Sequence, residues 1–237
     1  MVLDFPDTSM MSIFEVFYQP GKLFSSLAER RGAWVLPLLL NTLLLLAISA
    51  LVPHYIGRDN LMRQQLEGFN LTPEQKQAAI ASAGSPARVY GGYVATAVSA
   101  PLIHAAIAGM LLIFGMMTSK APKFSTMLSM VSLAFFPYWL VSALMTALIL
   151  MMSPDPTTLD IRNLVATNVG AYMDKATLPK GLYSVLTSLD VLSFIEIGLL
   201  SLGFSKVTRT SIFAGFAAVG GIWVLYVSVK MLISLLL

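Results

Sequence analysis

The stretch AWVLPLLLNTLLLLAISALVPHY, residues 33–55, decides what kind of protein this is. It carries no Asp, Glu, Lys or Arg, and Leu43 to Leu46 form an unbroken apolar run at its centre. A helix needs about 20 mainly apolar residues to cross the hydrocarbon core of a bilayer, and this one has them. Four further stretches meet the same test, at about 89–117, 124–152, 183–204 and 211–237. The rest of the chain agrees. Of 237 residues, 57% are apolar and 11% charged, and the mean hydropathy is +0.77. A soluble domain is about a quarter charged, so a water-soluble enzyme of this size would lack polar surface to cover itself. The reading is an all-α polytopic membrane bundle of five transmembrane helices.

Several functions are excluded at once. There is no cysteine, hence no disulfide framework, thiol nucleophile or thiolate metal site. The net charge of +3 is dispersed, which argues against a nucleic-acid partner. No HExxH helix, GxSxG elbow or Gly-x-x-x-x-Gly-Lys loop occurs, so no metal, cofactor or catalytic residue is assigned and the chain is read as no enzyme. An odd number of spans without an inverted repeat also departs from the usual secondary-transporter plan.

Orientation follows the basic residues beside the spans. Lys22, Arg30 and Arg31 precede the first span, and the short links carry Lys120, Lys123, Lys206 and Arg209. Arg58, Arg63, Lys76, Arg88, Arg162, Lys175 and Lys180 occupy two long loops, where six acidic residues nearly balance them. Density therefore predicts a cytoplasmic N-terminus and an extracytoplasmic C-terminus in the cell inner membrane. Residues 1–10 hold two acids and no base, so no cleaved signal is expected there.

Residues 1–32 read as a cytoplasmic interfacial segment. Ile13, Phe14, Phe17 and Tyr18 recur at helical spacing, Pro20-Gly21 breaks the pattern, and Leu23, Phe24 and Leu27 resume it. The expectation is one or two short helices with their apolar side on the bilayer and Lys22, Arg30, Arg31 and Trp34 at headgroup level, either as an anchor or as a partner-docking surface. Residues 33–237 form the transmembrane domain, with two helical outer loops at 57–88 and 153–182. Thr72-Pro73-Glu74-Gln75 predicts a capped helix from about Pro73 to Ser82. Leu159 to Met173 shows mixed helical spacing after the Ser153–Pro156 turn.

Four ionisable residues lie inside predicted spans, where charge is costly and marks a site by default: His104, Asp190, Glu196 and Lys230. Depth, counted at about 1.5 Å per residue, matches Asp190 with Lys230 near the outer end and Glu196 with His104 near the midplane. Asp190 with Lys230 is expected as a structural ion pair, as part of an ion or substrate path, or with Lys230 snorkelling to the interface. Glu196 is expected as a protonated acid bonded to a neighbouring hydroxyl or to His104, or as a proton-coupling group. Pro101 and Pro137 fall inside spans. Small residues at Gly91, Gly92, Ala95, Ala105-x-x-x-Gly109, Ala214, Ala218 and Ala217-x-x-x-Gly221 let helices approach closely, which also suits a homo-oligomer.

Gln19-Pro20-Gly21-Lys22-Leu23-Phe24, followed by Arg31-Gly32-Ala33-Trp34-Val35-Leu36-Pro37, resembles the opening of bacterial Yip1-family membrane proteins. So does Leu189-Asp190-Val191-Leu192-Ser193-Phe194, leading through Ile197-Gly198-Leu199-Leu200 to a basic link and a last span. Where the family usually has a Trp a few positions after the Asp, this chain reads Phe194-Ile195-Glu196. The resemblance implies five spans. The GTPase-engaging role of eukaryotic relatives is not expected to carry over, because their long cytoplasmic N-terminal region has no counterpart here, while some bacterial members accompany ABC-type exporters. With small-residue and Met/Phe faces and folded outer loops, the favoured reading is a scaffold that binds other membrane proteins, such as an ABC-type export complex. The runner-up is a small proton-coupled transporter or permeation subunit using Glu196/His104 and Asp190/Lys230.

Overall fold

A computed structural model describes residues 10–67, 69–118, 121–175 and 177–236; Lys120, counted above among the basic residues, lies outside them. Among the described residues ten α-helices follow one another: α1 (Met10–Tyr18), α2 (Pro20–Ser26), α3 (Val35–Ile56), α4 (Arg58–Leu66), α5 (Pro73–Ala81), α6 (Pro86–Met116), α7 (Phe124–Met152), α8 (Lys180–Leu186), α9 (Val191–Thr208) and α10 (Ile212–Leu236). No strand occurs among the described residues. Helices α3, α6, α7, α9 and α10 are long and apolar enough to cross a membrane.

The chain divides into two compact units, and the long helices contribute to both. One unit draws on the residues up to Leu43, Ala100–Leu140 and Leu192–Tyr226. Its core is the first half of α7, where every residue from Thr126 to Pro137 is buried. A helix apolar on all sides must be surrounded on all sides. Part of that surround comes from α1 and α2, whose Ile13, Val16, Leu23, Phe24 and Leu27 are each 1% exposed. Phe14 and Phe17 set their ring edges against Phe136, with centroids 6.0 and 6.1 Å away. The N-terminal segment thus turns much of its apolar side into protein and not toward headgroups; Phe14, Phe17 and Tyr18 stay exposed. Pro20 separates the two helices because it has no N–H for α1 to use and suits the first position of α2.

The other unit draws on Leu44–Ser99, Val141–Val191 and the residues from Val227 on. Here α5 forms as the sequence predicts, with a complete capping box between Thr72 and Gln75. The second loop resolves into three single 3₁₀ turns, Pro156–Thr158, Ile161–Asn163 and Val169–Tyr172. Each begins at an Asp or Asn (Asp155, Asp160, Asn168) whose side chain accepts a backbone N–H two or three residues on, a local bond that competes with a continuous helix. Gln64 ties α4 to this loop through the Leu159 carbonyl and the Ile161 N–H, both at 3.0 Å, and Arg162 pairs with Glu67 at 2.9 Å.

The fourth span starts later than the hydropathy suggests, at Val191 and not Tyr183. Val169 N–H bonds to the Leu189 carbonyl at 3.1 Å and Val191 N–H to the Thr167 carbonyl at 3.2 Å, so residues 189–191 are drawn into an extended pairing with 167–169. Gly170 permits the approach, because a Cβ there would meet Thr187 Cγ2 at 2.5 Å.

Candidate functional site

The polar centre of the first unit is Asn41 on α3. Its side chain is fully buried, and its Nδ2 donates to the Ser132 carbonyl on α7 at 2.8 Å. The second hydrogen of that amide faces His104 Nε2 on α6 at 3.1 Å. Since the Ser132 carbonyl can only accept, the amide nitrogen must face it, and Nε2 must present a lone pair. The other ring nitrogen, Nδ1, then carries the proton and donates to the Ala100 carbonyl at 2.8 Å. The imidazole is therefore neutral, with both nitrogens occupied, and its ring packs on Phe135 with centroids 4.8 Å apart.

Both ring nitrogens are thereby taken by groups other than Glu196. That acid lies five residues into α9, about 7.5 Å of rise from the start of the helix. It is half-buried. Asp190 moves further still. It stands just before α9 and so outside the span, where Thr167 donates its hydroxyl to Asp190 Oδ2 at 2.7 Å.

Lys230, on α10, is half-buried and donates to Thr187 Oγ1 at 2.9 Å and Ser188 Oγ at 3.0 Å. Both hydroxyls point their own hydrogens at the Ser184 carbonyl, which leaves their oxygens free to accept from the ammonium. A hydroxyl seat at the end of α8 thus takes the place of the Asp190–Lys230 ion pair that matched depth suggested. Closeness here is set by Gly181, where a Cβ would meet Leu235 at 3.2 Å.

On the N-terminal segment, Lys22 and Arg31 are exposed while Arg30 and Trp34 are half-buried. Arg30 Nη1 is buried without a hydrogen-bond partner among the described residues.

Sequence reasoning missed Asn41, Ser132, Thr187 and Ser188 because it weighed only ionisable groups. Asn41 was visible as the one amide inside the first apolar run. The hydroxyls were not, since Ser and Thr are common in spans and bond their own helix.

The Yip1-domain family model matches residues 14–235, nearly the whole chain. No curated protein and no solved structure matches it.

Proposed function

The chain belongs to the Yip1 family, and on that premise we propose that it is a scaffold that holds other membrane proteins together in the inner membrane, with an ABC-type export complex as the favoured partner. Its N-terminus lies in the cytoplasm, and no catalytic step is assigned to it. One observation carries the reading. The face of α6 buried within the protein runs through Ala100, His104, Ala108, Leu111 and Gly115, so Ala105-x-x-x-Gly109 lies off that seam. On α10 the buried residues are Gly215, Ala218 and Val219, while Ala217 and Gly221 are exposed. A methyl group placed on Gly109 or Gly221 would meet no atom within 4 Å. Small residues four apart on an open face are what a second transmembrane helix packs against.

Co-purification in mild detergent tests this directly. Gly109→Ala with Gly221→Leu adds bulk at positions where a Cβ meets no other atom of the chain, so thermal stability should hold while partner membrane proteins are lost. An unchanged set of partners would refute the scaffold reading. Solute flux in reconstituted vesicles, abolished by Glu196→Gln but not by the glycine substitutions, would put the proton-coupled transporter in its place.

A further inference from the structure

In the second unit a cavity of about 290 Å³ opens where α3 ends and α6 begins. Arg58, on the first turn of α4, and Arg88, on the first turn of α6, both line it, with Gln65 and Tyr93. Neither guanidinium makes a hydrogen bond or ion pair with any described residue, and no carboxylate lines the space. Arg58 is half-buried and Arg88 exposed; two cations lining one cavity with no carboxylate in its wall favour an anion between them. The wall then continues down the spans through Pro53 and Ser49 on α3 and Val89, Gly92 and Thr96 on α6. Ser49 lies seven residues inside the end of α3 and Thr96 ten residues inside the start of α6, or about 10 and 15 Å of helix rise. The site is charged at its mouth and uncharged further along the helices.

We propose that Arg58 and Arg88 hold the phosphate of an anionic phospholipid, whose glycerol end enters the cavity toward Ser49 and Thr96. A phosphodiester offers two oxygens to two forked guanidiniums, the geometry Arg recognises best. A soluble phosphate would use the upper half alone and leave the lower wall unexplained. The volume takes a headgroup with its glycerol and not two acyl chains, which remain in the bilayer.

The test is native mass spectrometry of the full chain in detergent, with phosphatidylglycerol and phosphatidylcholine supplied in equal amounts. The wild type should retain phosphatidylglycerol in preference. Arg58→Gln and Arg88→Gln should each lower that preference about fivefold, in line with the worth of a basic side chain near anionic lipid. Arg63→Gln, on the same helix but off the cavity, should leave it intact. Gly92→Phe should also abolish retention without altering charge, since a Cβ on Gly92 meets nothing within 4 Å and a ring there occupies the lower wall. Equal retention of the two lipids by the wild type, or a preference that survives the double Gln variant, would overturn the proposal. Displacement of the lipid by millimolar glycerol phosphate would overturn it too, by assigning the arginines to a soluble ligand.

Discussion

Asn41 joins three helices through a single amide, and its balance sheet is mixed. It makes two hydrogen bonds, yet its Oδ1 is buried with no partner among the described residues. Replacing it with Leu removes that orphan oxygen but also both bonds, and leaves His104 Nε2 buried without its donor. We expect Asn41→Leu to cost about 1–3 kcal/mol. His104→Leu leaves the amide on the Ser132 carbonyl and should cost a similar amount. The coupling between the two, read from a double-mutant cycle of unfolding in mixed micelles, should fall at about 0.5–1.5 kcal/mol, the range for hydrogen bonds between membrane helices. A coupling near zero would mean that Asn41 and His104 serve separate ends. His104 was legible in the sequence as costly and therefore special; its partner was not. A rule that searches for charge finds the imidazole and overlooks the neutral amide that satisfies it.

At the level of helices, hydropathy located all five spans and the capping box located α5, because both signals are local. The seams were harder to see. Every small-residue motif on α6 and α10 had an equal claim to the interior, and what decided among them was backbone distance. A Cβ on Gly215 would collide with the Ser201 carbonyl of α9, and neither backbone can yield without moving a helix. A Cβ on Gly203 would instead meet Met130 Cγ at 2.6 Å, a side-chain clash that a change of Met130 rotamer relieves without moving a helix. Gly215→Ala should therefore cost about 1–3 kcal/mol and Gly203→Ala clearly less, as ranked by thermal unfolding in detergent. The reverse order would show that α9 and α10 are not held at this separation. The start of α5 carries a second test. Its own backbone N–H and the Thr72 hydroxyl hold the Glu74 carboxyl below its ordinary pKa. A depressed carboxylate adds stability above its unfolded value and loses it as pH falls through the folded one. Amide exchange over residues 72–81 should hence stay protected at neutral pH and rise on acidification below the usual carboxylate range, and Glu74→Gln should flatten that rise.

For the molecule as a whole, the open question is direction, and one residue speaks to it. The link between α9 and α10 is a Schellman-type turn: Thr210 N–H reaches back to the Ser205 carbonyl at 3.0 Å, and Arg209 takes the left-handed position at φ 56°. Glycine is the residue that fits there without strain. On local grounds Arg209→Gly should stabilise the turn by about 1 kcal/mol, so the arginine answers to some other demand. Retention of positive charge on the cytoplasmic side is such a demand, because short links weigh most in setting orientation. On the proposed topology Lys22, Arg30, Arg31, Lys123 and Lys206 share its side. A phosphatase fused after the last residue should then be active outside the cytoplasm, while a fluorescent protein that folds only in the cytoplasm should glow when fused before the first. Neutralising Lys123, Lys206 and Arg209 together should lower the outside activity, whereas neutralising Lys76, Lys175 and Lys180 in the long loops should not. Two termini reporting the same compartment would remove one span from the count and reverse the meaning of Arg209.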